Sequence, residues 1–114
     1  MVNRQTPSLS FEVFPPNPAV GNDKIFQALR EMQDLAPHFI SVTASNNKFD
    51  IEETTVRLAE FISNDLEIPT IAHLPAVYLT KEMVSNILQA LDRVGVNQIL
   101  ALRGDIFPDV APKD

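Results

Sequence analysis

The stretch "SLSFEVFPP", residues 8–16, alternates in type: Leu9, Phe11 and Val13 fall on one side, Ser10, Glu12 and Phe14 on the other. A period of two is that of a half-buried strand, and Pro15 and Pro16 stop further pairing. The rhythm then changes. Ile25, Ala28, Leu29, Met32 and Leu35 recur at helical spacing, with Asn22 or Asp23 to cap the start and Pro37 to mark the stop. "HFISVTA" is short and β-branched, which predicts a second strand from His38 to Ala44. Asp50, with Glu53 three residues on, forms an acidic variant of a capping box. Ile51, Thr55, Leu58, Ala59 and Ile62 line one face of the helix that follows. A third strand is expected from Thr70 to Leu74, ended by Pro75. Thr80 caps a third helix whose stripe is Met83, Val84, Ile87, Leu88, Leu91 and Val94, and Gly95 suits its C-terminal cap. "NQILALRGD" reads as a fourth strand. Strict alternation of strand and helix implies an α/β fold of parallel strands joined by right-handed crossovers.

The chemistry repeats where the letters do not. Glu12, Thr43, His73 and Arg103 are the last polar residues on the four strands, at intervals of 31, 30 and 30 residues. Each unit therefore brings a hydrogen-bonding side chain to its strand's carboxyl end. Side chains two apart share a face. Ser10 with Glu12, Ser41 with Thr43, and Ile71 with His73 fall on the faces that carry these groups. On the fourth strand Ile99, Ala101, Arg103 and Asp105 are expected to share that face. The opposite positions, Leu9, Phe11, Val13, Ile40, Val42, Ala72, Leu74, Leu100 and Leu102, are apolar and expected under helices. A (β/α) barrel carries its active site at the carboxyl rim of such strands. A doubly wound sheet also binds ligands there, but the glycine-rich fingerprint after the first strand is missing.

Composition narrows the classes. The chain has 114 residues, 45% of them apolar, enough for one domain with a core. A net charge of -6 argues against a nucleic-acid backbone as partner. There is no cysteine, so thiolate chemistry and disulfides are excluded. His38 and His73 stand far apart in sequence without metal-ligand spacing, so no metal is expected. "MVNRQTPSLS" has no apolar signal core, and no apolar run is long enough to span a bilayer. A cytoplasmic chain without membrane contact is the expectation.

"FEVFPP", "FISVTA", "IAHL" and "LALRGD", in this order and spacing, resemble the N-terminal half of the methylenetetrahydrofolate reductase family, over residues 8 to 108. The resemblance implies a flavin-containing TIM (β/α)8 barrel, with the chain supplying its first half as a single, truncated unit, 1–114. It implies FAD as cofactor, NADH or NADPH as reductant, methylenetetrahydrofolate as substrate, and a homo-oligomer. By the same resemblance Glu12 is the general acid. Thr43, Ala44, His73, Arg103, Gly104 and Asp105 contact the flavin, and Glu12 and Asp105 also face the folate. A carboxylic acid donates a proton near neutral pH only where its surroundings disfavour the anion, so the resemblance makes an apolar enclosure around Glu12 the expectation.

Each reading has a rival. Glu12 could be a strand-end acid paired with Arg103, and Thr43 a plain β-former. A barrel of this kind typically needs about 250 residues. A half-barrel leaves open edges that invite pairing. The alternative to a flavoenzyme half, expected to be inactive alone, is therefore a non-catalytic half-barrel that pairs with a second half or with itself. A Schiff-base aldolase is disfavoured, since Lys48 falls in a loop and Lys81 at a helix start, and no strand end carries lysine.

Overall fold

The computed structural model describes residues 7–16, 21–44, 51–77 and 79–104. Four strands, β1 (Ser10–Val13), β2 (Phe39–Val42), β3 (Thr70–Pro75) and β4 (Gln98–Leu102), form one parallel sheet in the order β1-β2-β3-β4. Helix α1 (Asp23–Gln33) joins β1 to β2, and α3 (Lys81–Arg93) joins β3 to β4. The middle connection is a continuous helical segment in three parts. Helix α2 (Arg57–Glu60) is flanked by wider, π-helical turns at Glu52–Val56 and Phe61–Asp65. In those turns the amides of Val56 and Leu66 reach back five residues, to the carbonyls of Ile51 and Phe61 at 3.0 and 3.2 Å.

Burial on the strands alternates, and it fixes which face is covered. Val13, Ile40, Val42, Thr70, Ala72 and Leu74 are buried. Their neighbours Ser10, Glu12, Leu100 and Leu102 are exposed, and Phe39, Ser41, Ile71 and His73 half-buried. The covered face meets Leu29 from α1, Ile51, Val56, Leu58, Ala59, Phe61 and Ile62 from the middle segment, and Ile87 and Leu91 from α3 in one core. Phe26 stacks flat on Phe61 with ring centroids 3.9 Å apart, and the Arg30 guanidinium lies 5.2 Å from the Phe61 centroid. A cation beside an aromatic face adds attraction to the apolar contact, so α1 is fastened to the middle segment. The other face of the sheet carries no helix among the described residues.

The helix ends follow local chemistry. Thr80 caps α3 as expected, its hydroxyl accepting the Met83 amide at 3.1 Å. Gly95, at φ +80°, ends it: the Val96 amide returns to the Leu91 carbonyl at 2.9 Å and the Gly95 amide to Asp92 at 3.1 Å. Asn22 precedes α1 but its side chain makes no capping bond. Ala36 and Glu67 take the corresponding left-handed positions after the two earlier helices, at φ 51° and 55°. The Asp50–Glu53 capping box lies outside the described residues.

Two expectations need correction. The fourth strand faces the other way. Ile99 is level with buried Ala72 and packs on the core, and Ala101 is level with Leu74, whereas Leu100 and Leu102 are level with His73 and Pro75 on the open face. Pairing with β3, whose Ala72 and Leu74 must be covered, decides this parity. On α1, Leu35 was expected in the apolar stripe, but the helix ends at Gln33 and Leu35 is exposed in the turn beyond. Phe26 does the packing instead.

Candidate functional site

The strand registers set the levels of the open face. Glu12 is level with Ser41, Ser41 with Ile71, and Ile71 with Gln98. Thr43 follows two residues beyond Ser41, and His73, two beyond Ile71, is level with Leu100. Thr43 and His73 thus stand one step, about 6.6 Å, further along the strands than Glu12. Pro75 and Leu102 stand a step beyond that. Of Glu12, Thr43 and His73, Glu12 is therefore the lowest, and Thr43 and His73 are level with each other.

Glu12 is exposed on the first strand of the sheet. The apolar enclosure expected around its carboxyl is not supplied by the described residues, because β1 is an edge and Phe14 beyond it is itself 66% exposed. No ion pair among the described residues joins Glu12 to Arg103.

Thr43 is the most constrained of the group. Its amide donates to the Val13 carbonyl at 3.0 Å, next to Glu12 in the chain. Its carbonyl accepts from the Thr55 hydroxyl at 2.9 Å, across to the first π-helical turn. Its own hydroxyl is buried and has no hydrogen-bond partner among the described residues. Buried polar atoms without partners are rare enough that each calls for an explanation, a bound ligand among them. Ala44 follows it, half-buried against the core. His73 is half-buried on the open face.

Arg103 is the first residue past β4 and is exposed, its carbonyl accepting the Val77 amide at 3.0 Å. Gly104 is held at φ +86°, and a Cβ there would lie 2.6 Å from the Pro75 Cβ. Glycine is thus required twice over at this turn, by backbone conformation and by the proline against it. Asp105 lies outside the described residues. Registers bring Glu12, Thr43 and His73 onto one face within one step; Arg103 and Gly104 reach the same end of the sheet by a turn.

Sequence reasoning missed Thr55 as a partner of this site, because it read as one more position on a helical stripe. The signal was its hydroxyl: a polar group among apolar stripe residues must find a partner. Gln98, level with Glu12, was also passed over, and Ser41 was read only as sharing the face of Thr43.

A buried orphan hydroxyl at a strand's carboxyl end, with a histidine level with it and a close-packed glycine turn beyond, suits a ligand with hydrogen-bonding groups. Together the elements define an α/β protein of repeated parallel strand–helix units, with a polar site at the carboxyl ends of consecutive strands. The particular lineage follows from comparison. The sequence profile described as Methylenetetrahydrofolate reductase matches residues 1–113, and the chain belongs to that family. It is 34% identical over 100 residues to the 5,10-methylenetetrahydrofolate reductase of Buchnera aphidicola subsp. Baizongia pistaciae (strain Bp), covering 88% of this chain and 34% of the relative. It is 31% identical over 98 residues to the probable methylenetetrahydrofolate reductase (NADH) of Oryza sativa subsp. japonica, covering 84% and 16%. It is 32% identical over 97 residues to methylenetetrahydrofolate reductase 2 of Schizosaccharomyces pombe (strain 972 / ATCC 24843), covering 84% and 15%. The match thus spans about a third of the bacterial relative's length and about a sixth of the plant one's.

Proposed function

We propose that this chain is the first half of a (β/α)8 barrel that reduces 5,10-methylenetetrahydrofolate to 5-methyltetrahydrofolate with a nicotinamide donor and a bound FAD. Family membership over residues 1–113 is the observation that carries this reading. The strand order supports the barrel half of it. The order runs 1-2-3-4 without the reversal of a doubly wound sheet, and the described helices cover one face only. The offset of Glu12 one step below Thr43 and His73 is compatible with the staggered registers of tilted barrel strands.

The residues take the following parts. Thr43, Ala44, His73, Arg103, Gly104 and Asp105 hold the flavin at the rim. A bound flavin would carry hydride from the nicotinamide to the folate. Glu12 protonates the folate nitrogen that departs when the five-membered ring opens to an iminium, and Asp105 binds donors on the pterin. Glu12 needs a drier setting for this than β1 alone gives, and the later strands together with bound folate would provide it. The 114 residues alone would then be inactive. Work on the complete polypeptide tests this. Flavin should copurify with it. Glu12→Gln should lower folate reduction by about 10²- to 10⁴-fold while nicotinamide oxidation continues. Unchanged folate reduction would remove Glu12 from the acid role.

One observation favours a second reading, a non-catalytic half-barrel that pairs through its open face. Leu100 is 51% exposed there, beside Leu102. Apolar groups on an uncovered sheet mark an interaction surface when they are contiguous. A stable dimer of the chain without flavin would support that reading over the first.

A further inference from the structure

Thr55 sits in the first π-helical turn with 1% of its surface exposed. A threonine in a helix ordinarily turns its hydroxyl back to the carbonyl four residues earlier. In this turn the Ile51 carbonyl accepts the Val56 amide at 3.0 Å and no bond from the Thr55 hydroxyl. The Thr55 hydroxyl instead leaves its own helix and donates to the Thr43 carbonyl at 2.9 Å. With the Thr43 amide tied to Val13 at 3.0 Å, both backbone groups of Thr43 are fixed, one by the strand that carries Glu12 and one by the π-helical turn. Only the Thr43 hydroxyl is left over, buried and unpartnered among the described residues.

We infer that Thr55 is a positioning residue for the flavin site: it locks the Thr43 backbone so that the Thr43 hydroxyl meets the flavin in a fixed place. The inference rests on the flavin reading above. Thr55→Val keeps the volume and removes the donor, whereas Thr55→Ser keeps the donor.

The test uses the complete polypeptide, with FAD titrated into apoprotein and amide hydrogen exchange followed at Thr43. Thr55→Val should weaken FAD binding about tenfold. It should also speed exchange of the Thr43 amide by a similar factor, with Val42 and Ala72 unchanged. Thr55→Ser should keep both within about twofold of wild type. An FAD affinity equal to wild type in Thr55→Val, with or without faster exchange, overturns the inference and leaves the flavin reading standing. If Thr55→Val does not fold, Thr55→Ser decides: an FAD loss of about tenfold with the hydroxyl retained overturns the inference as well. No FAD uptake by the wild type overturns the flavin reading and this inference with it.

Discussion

The two faces of one four-stranded sheet are built to different ends. On the covered face Val13, Ile40, Val42, Ala72 and Leu74 meet three helical connections, and every position is apolar but for Thr70, whose hydroxyl donates to the Ile68 carbonyl at 2.8 Å. On the open face Glu12, Ser41 and Gln98 share a level, His73 stands by Leu100, and Pro75 by Leu102. The covered face can be judged by volume and burial, because its residues serve packing alone. The open face mixes apolar and polar side chains and is covered by no described helix, and its polar members stand where strand-end chemistry is done.

The contrast is broken or sharpened by substitution in the complete polypeptide. Ile62→Ala, in the core under the sheet, should cost about 3 to 4 kcal/mol in urea unfolding with no loss of FAD affinity in the folded fraction. Reduced FAD affinity in that fraction would mean that core and rim are not separable. Gly104→Ala should cost about 2 kcal/mol, because the new Cβ meets Pro75 in a left-handed backbone. Unchanged stability would show that this turn shifts freely. Leu100→Ala is the sharpest gauge of the open face and the smallest expected effect. As part of a closed barrel interior it should cost about 1 to 2 kcal/mol, whereas a cost under about 0.5 kcal/mol would mean that the face stays open to water.

Much of the architecture was legible because each unit announces itself: alternation, then a helical stripe, then a stop. The four strands and three connections fall where those signals place them. The parity of β4 was not legible, since Ile99, Leu100, Ala101 and Leu102 are apolar on both sides and alternation says nothing. Only pairing with β3 decides it. The π-helical turns were invisible for a related reason, because over five residues a wider turn and an α-turn leave nearly the same stripe. At the site, the thirty-residue recurrence placed Glu12 and Thr43 at strand ends, whereas His73 stands two residues before the end of β3. It could not report that Glu12 stands a step lower than the other two, nor that it is exposed. Those depend on register and on edge position, which are set by partners distant in sequence.

The left-handed residues that close the helices, Ala36, Glu67 and Gly95, have a practical corollary. Two of the three spend conformational energy that the third avoids, on the order of 1 kcal/mol each before glycine's greater freedom in the unfolded chain is counted. Both lie at the helix exits that precede β2 and β3, at the opposite end of the strands from the rim. Stability can therefore be adjusted there without touching the end of the sheet where ligands are expected, which makes these exits a natural place to harden the scaffold or to graft a further strand–helix unit.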